Sequence, residues 1–150
     1  MKKIIVIISF LSIGVIHPVS LKAEVVMPCS AVLEPVSKDD MNVKGAALIY
    51  KVKLTPSFPR TSISMHAIHL PAPTTLGDYD GYEGFAFIPN EISWRFKLVP
   101  TPEGNDPTWA GKIDDITADL TPSILQIRLS NGKTGKLGPA ILENPANVCK

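Results

Sequence analysis

The sequence has few of the residues that most catalytic and metal-binding sites need. It contains 2 cysteines and 3 histidines among 150 residues. The cysteines do not have the Cys-x-x-Cys spacing that is typical of zinc and redox sites. Its basic residues are scattered, without the clustered arginines and interleaved aromatic residues typical of nucleic-acid binding. No window keeps the 3.6-residue apolar period that predicts a long helix. These deficits argue against a redox protein, a nucleic-acid-binding protein and a mainly helical fold.

The first 23 residues have the composition of an export signal. Two lysines precede an apolar run over residues 4–16, and the small residue Ala23 ends the segment. The run is shorter than the ~20 residues that a transmembrane helix needs, but it suits a signal peptide. We therefore expect a cleaved signal peptide over 1–23 and a single domain over 24–150. We also expect the mature protein to be exported (secreted, on the cell surface or periplasmic), without inserting into a membrane.

The two cysteines lie near opposite ends of the expected mature domain. Cleavage after Ala23 leaves 12 basic and 14 acidic residues, a slightly negative balance, together with Cys29 and Cys149. Exported proteins mature in oxidising compartments, where paired cysteines usually form structural disulfides. We therefore expect one disulfide that joins the two ends of the domain.

Alternation with a period of two residues predicts the strands. Residues 92–98 show it most clearly, with Ile92, Trp94, Phe96 and Leu98 on the core side. The other inward-facing sets are Leu48, Tyr50, Val52 and Leu54 in one strand, and Leu125, Ile127 and Leu129 in another. A change of phase between Ala67 and Ile68 predicts a bulge, and Asn131-Gly132 predicts a type I′ hairpin.

Seven or eight such strands are separated by turns rich in glycine, proline, asparagine and aspartate. The 14 prolines are spread along the chain, where they interrupt helices and central strands. This pattern predicts an all-β fold, an antiparallel β-sandwich of immunoglobulin-like or similar Greek-key topology.

Two residue sets could bind a metal ion. His66, His69 and Met65 have side chains suited to copper, although histidines three apart on a strand point to opposite faces unless a bulge realigns them. The carboxylates Asp78, Asp80 and Glu83 lie in a glycine-rich segment and could bind calcium. The alternative for the first set is a strand with partly exposed histidines, and for the second a solvated turn.

Tyrosines and prolines in long loops favour recognition of a partner. Tyr79 and Tyr82 alternate with acidic and glycine residues, and proline-rich segments cover 71–76 and 101–107. Trp109 follows the second segment and is either a core residue or a surface anchor. Tyrosine brings a large contact area at low entropic cost. The leading hypothesis is an exported, non-enzymatic β-sandwich that binds a protein or glycan through these loops, without a cofactor. The alternatives are an exported metal-binding protein and, third, a small hydrolase.

Overall fold

The computed structural model describes residues 27–40, 42–53, 58–102, 106–120 and 122–145. Within these ranges the chain forms antiparallel strands and two single-turn 3₁₀ helices, Lys38–Asp40 and Pro73–Leu76. The strands are β1 (Cys29–Pro35), β2 (Lys44–Val52), β3 (Arg60–Ile68), β4 (Gly81–Ile88), β5 (Ile92–Pro100), β6 (Trp109–Ile116), β7 (Ile124–Asn131) and β8 (Lys136–Pro145). The predicted signal peptide 1–23 and Cys149 lie outside the described residues.

The strands close into a barrel in the order β1-β2-β3-β6-β5-β4-β7-β8, with every neighbouring pair antiparallel. The prediction of an all-β antiparallel fold is confirmed, but the prediction of a β-sandwich is wrong. Alternation shows only that each strand has one inner face, which sandwiches and barrels share. A sandwich and a barrel differ in whether the edge strands of one sheet pair with the edge strands of the other. In this chain they do.

Two short junctions join a half made of β1, β2, β3 and β6 to a half made of β5, β4, β7 and β8. We call them the β1–β8 seam and the β5–β6 seam. At the β1–β8 seam, Glu34 pairs with Glu143 and Pro35 with Leu142. At the β5–β6 seam, Val99 pairs with Ala110 and Pro100 with Trp109. Each seam therefore closes the barrel with only two residue pairs.

The core fills the barrel with side chains from the inner face of each strand. Its largest fully buried aliphatic members are Leu33, Ile49, Ile63, Met65, Ile116, Leu125, Ile127, Leu129 and Leu142. The predicted inward phases of β5 and β7 agree with this core, except that Ile92 at the start of β5 is 48% exposed.

The predicted phase of β2 is wrong. Ala47 and Ile49 face the core, and Leu48 is 43% exposed on the outer wall. Both parities of this strand are apolar, so its own pattern does not select a face. Pairing does: Ile49 lies opposite the buried Ile63 of β3, and residues directly opposite on neighbouring strands share a face.

Two local predictions near strand ends also need correction. β3 ends at Ile68, and His69 follows with φ of 59°, so the change of phase marks the end of the strand. The irregularity in β3 lies instead between Thr61 and Ile63, opposite β6. The β7–β8 hairpin forms as predicted, but the positive φ falls at Gly135 (70°), whereas a type I′ turn requires positive φ at both central residues.

Candidate functional site

The loops whose prolines and tyrosines favour recognition lie at one end of the barrel. Because neighbouring strands run antiparallel, the β1–β2, β3–β4, β5–β6 and β7–β8 connections all emerge at this end. We call it the loop end. It carries residues 69–80, with their prolines and Tyr79, and the described parts of the β5–β6 connection. The fold therefore brings together segments that are distant in sequence.

The β3–β4 loop is held against the β5–β6 loop and against the core. His69 Nδ1 and Asp106 Oδ2 are hydrogen-bonded partners. The Tyr82 hydroxyl donates to the Pro71 carbonyl oxygen at 2.8 Å. Within the loop, Thr75 donates from both its backbone N–H and its hydroxyl to the Ala72 carbonyl. These bonds order a proline-containing segment that has only one helical turn of its own.

The same loop is bonded to the β7–β8 hairpin through aspartate and asparagine. Asp80 Oδ1 accepts from the Gly132 N–H at 2.7 Å, and the Asp80 N–H donates to the Ser130 carbonyl at 3.0 Å. The Asn131 side-chain amide donates to the Asp78 carbonyl at 3.1 Å. These contacts satisfy backbone groups that the ladder leaves unpaired at the strand ends.

The predicted calcium ligands do not form a cluster. The Asp80 side chain is hydrogen-bonded to the β7–β8 hairpin. Asp78 is exposed, and its backbone carbonyl accepts a hydrogen bond from the same hairpin. Glu83 lies on the outer wall, buried beneath Arg95, whose Nε donates to Glu83 Oε2 at 2.7 Å. The hydrogen bond that Arg95 donates to Glu83 raises the pKa of Arg95 above its ordinary value. Glu83 is therefore committed to an ion pair between β4 and β5.

The predicted copper ligands are separated by the wall of the barrel. Met65 is fully buried inside, whereas His66, the next residue on β3, is exposed on the outer wall. His69 lies beyond the end of β3 and contacts Asp106. Across the described ranges, no three histidine, cysteine, aspartate or glutamate side chains gather as a metal site would require.

Two of the three predicted recognition residues belong to the core. Tyr82 is 1% exposed, and its ring meets that of Trp109 edge to face, with centroids 5.1 Å apart at 78°. Trp109 is also buried, so neither ring is available to a partner in this structure. Both point inward because β4 and β6 present their apolar parity to the barrel.

Tyr79 remains at the surface of the loop end. It is partly buried against the core, and a Cβ built at Gly138 would lie 2.6 Å from its ring, so the ring rests on a glycine of β8. Lys136 Nζ is 5.5 Å from the ring centroid, within cation–π range. Nearby in sequence, Leu76 is 42% exposed. Neither Leu76 nor Lys136 carries a chemical signature in the sequence by itself, so neither was predicted as a site residue.

An apolar groove of about 430 Å³ lies on the outer wall, away from the loop end. Its lining residues are Met27, Pro28, Leu48, Tyr50 and Lys51. None of the predicted site residues contributes to it. None of the helices in the described ranges is long and apolar enough to cross a membrane.

The fold and the loop end define a class, a small closed antiparallel barrel whose converging loops are fixed to its wall. Residues 25–150 match the family described as SPbeta prophage-derived uncharacterized protein YoqH. A relative with that description, from Bacillus subtilis (strain 168), is 56% identical over 150 residues, which cover 99% of each chain. The chain belongs to the YoqH family. No solved structure matches it significantly.

Proposed function

We propose that this chain is an exported, non-enzymatic barrel that binds a partner protein through its loop end. The observation that carries the proposal is the fixing of the β3–β4 loop to both neighbouring loops, while Leu76 stays exposed at its surface. Loops fixed on a rigid scaffold are common recognition surfaces, because little further ordering is needed on binding. An exposed aliphatic side chain favours a protein over a glycan, and Tyr79 supplies the adjacent aromatic surface.

Site-specific photo-crosslinking tests this proposal. A photoreactive amino acid replaces Leu76 in cells that export the protein, and in a control it replaces Phe58, which is exposed at the opposite end. We expect a discrete, protease-sensitive adduct from position 76 that position 58 does not give. The adduct should disappear in the presence of excess unlabelled protein, but not of excess Leu76→Glu variant. An adduct sensitive only to glycosidase indicates a glycan instead, and equal labelling at both positions contradicts the proposal.

Export and a terminal disulfide form part of the same proposal. The order of charge, apolar run and small residue in 1–23 supports export. The positions of Cys29 and Cys149 in the sequence support the disulfide, because paired cysteines of exported proteins usually form structural bridges. Mass spectrometry of the exported protein should show Glu24 as the first residue and a mass two hydrogens below that of the reduced chain. Free thiols in that sample contradict the disulfide.

A further inference from the structure

The second edge of β5 is unpaired over most of its length. β5 pairs with β4 from Ile92 to Leu98, but with β6 only at Val99 and Pro100. Among the described residues, no strand lies against the remaining edge. The seam is tight where it ends, since a Cβ at Gly111 would lie 2.2 Å from the Lys97 carbonyl oxygen. Beyond that point β5 and β6 no longer pair, and we call the space between residues 92–96 and 112–116 the opening.

Apolar side chains border the opening. Ile92 is 48% exposed. On the inner faces, Trp94 and Phe96 of β5 and Ile113 of β6 are only partly buried. A free strand edge with apolar side chains is a template for another strand, and most proteins protect such edges with charge, proline or a covering element. Here three inward-facing side chains would gain burial if a strand were added.

We propose that the β5 edge binds an extended segment of a partner protein as an added strand, in which apolar and acidic residues alternate. Main-chain hydrogen bonds to β5 supply affinity in this mode, and alternate side chains supply specificity. The apolar residues of the segment face Trp94, Phe96 and Ile113. Its acidic residues face outward beside Arg95, Lys97 and Lys112, the exposed basic side chains next to the opening, which we call the rim. This surface is separate from the loop end and does not depend on the function proposed there.

The charge of the rim selects the acidic partner. Arg95 is paired with Glu83, and Lys112 with Asp114. Lys97 forms no ion pair with any described carboxylate, and the seam register, continued by two residues, sets it opposite Lys112. Like charges directly opposite each other destabilise strand pairing. An added strand in the opening ends beside this pair, and a carboxylate at that end would relieve the repulsion between the two ammonium groups and pair with Lys97.

The same charges disfavour a second copy of this chain as the occupant. Two β5 strands paired antiparallel about Phe96, the midpoint of the strand, bring Arg95 of each copy opposite Lys97 of the other. Such a pairing sets basic residues against each other on the outer face. A heterologous acidic segment removes the conflict.

Peptide titration of the disulfide-intact mature protein tests the proposal. The probe is a capped peptide of 9 residues, the length of β5, in which valine and glutamate alternate. We expect saturable shifts in the amide NMR signals of β5 and β6. A peptide of the same composition with all valines before all glutamates should bind at least about tenfold more weakly, because it cannot present one apolar face. Replacing glutamate by lysine should also weaken binding.

Backbone methylation distinguishes strand addition from simple apolar contact. Only one edge of an added strand faces β5, so N-methyl groups on one set of alternate amides should abolish binding, and those on the other set should not. Equal behaviour of the two methylated peptides overturns the proposal. Shifts confined to other strands, or no binding up to the solubility limit, also overturn it.

A charge reversal completes the test. Lys97→Glu should lower affinity for the glutamate peptide by about tenfold and raise affinity for the lysine peptide. Lys38→Glu makes the same charge change after β1, on the opposite side of the barrel, and should leave both affinities unchanged. Equal effects of the two variants contradict a site at β5. Sedimentation of the free protein as a β5-paired dimer would also overturn the proposal, in favour of a second copy.

Discussion

The two seams of the barrel have ladders of equal length but different surroundings. Past the ladder of the β1–β8 seam, the Val36 N–H donates to the Ile141 carbonyl at 2.9 Å, and on the other side the Asn144 side chain donates to the Val32 carbonyl. Among the described residues outside the strand ladders, the hydrogen bond that continues the β5–β6 seam lies toward the loop end, where the Thr101 N–H donates to the Thr108 carbonyl at 2.8 Å.

The burial of the inward-facing side chains also differs between the two seams. Leu33 and Leu142, the inner residues at the β1–β8 seam, are both fully buried, whereas Trp94, Phe96 and Ile113 beside the β5–β6 seam are not. Two residue pairs are enough to close a barrel when hydrogen bonds extend the ladder on both sides and the inner side chains at the seam are fully buried. With bonds on one side only, the same ladder leaves a strand edge accessible. We therefore call the β1–β8 seam the closed seam and the β5–β6 seam the open seam. Segments with few buried contacts open most easily, so we expect the β5–β6 seam to open first.

The largest effect should come from removing the proposed disulfide, whose Cys29 begins β1 of the β1–β8 seam. Replacing both Cys29 and Cys149 by serine should lower the free energy of unfolding by about 2–5 kcal/mol, since the bridge closes most of the chain into one loop. Denaturant unfolding of the oxidised wild type and the double variant measures the difference. Reduced wild type should match the variant. Identical midpoints for all three samples would show that no disulfide joins Cys29 and Cys149.

A matched pair of truncations compares packing at the two seams. Leu33→Ala removes a fully buried side chain at the β1–β8 seam and should cost about 3 kcal/mol. Ile113→Ala removes a partly buried one beside the opening and should cost about 1 kcal/mol, because less apolar area returns to water. Urea denaturation checks both values. Equal losses would mean that the opening is as well packed as the closed seam.

A glycine substitution should force the open seam further apart. A Cβ at Gly111 meets the backbone of Lys97, which cannot rotate away, so Gly111→Ala should cost about 2 kcal/mol. Faster amide exchange at Val99 and Ala110 should accompany the loss. Gly132→Ala is the control, because its Cβ would meet only the Asp80 side chain at ordinary contact distance of 3.5 Å. Unchanged exchange at the seam would contradict the steric account.

Local pattern predicted those strands that have one apolar and one polar face. β5 alternates Trp94, Arg95, Phe96 and Lys97, so its phase could be inferred without knowledge of its neighbours. β2 contains apolar residues at both parities, so only its pairing with β1 and β3 determines its inner face. Barrel closure could not be predicted either, because it depends on pairs between strands far apart in sequence, as in β1 with β8.

The candidate site was predictable in location but not in detail. Proline and tyrosine singled out residues 71–82 in the sequence, and the structure places residues 69–80 in the β3–β4 loop at the loop end. The contact of His69 with Asp106 joins residues 37 positions apart, and no local signal announces it. Tyr82 and Trp109 have the composition of recognition residues, but strand parity turns both inward. An aromatic residue at the start of a strand thus gives no indication of its face until the register is known.

The smallest predicted effect concerns Asp114 on β6, opposite the closed seam. Hydrogen bonds from Lys112 at 2.6 Å and from the Ser62 hydroxyl at 2.6 Å lower the pKa of Asp114. A carboxylate with a lowered pKa stabilises the folded state above its unfolded-state pKa, and the contribution disappears as the pH falls through the folded-state value. Stability should therefore decline below about pH 4.

We expect this contribution to stay below about 1 kcal/mol, because the cluster is near the surface and screened by solvent. Thermal melting between neutral pH and pH 3 should show a shallower acid decline for Asp114→Asn than for wild type. Asp115→Asn changes an adjacent, well-exposed carboxylate and should keep the wild-type slope. If Asp114→Asn also kept that slope, the Lys112–Asp114 pair would not persist in solution. Lys112 would then be free to bind an added strand, and the open seam would be still more basic than its geometry indicates.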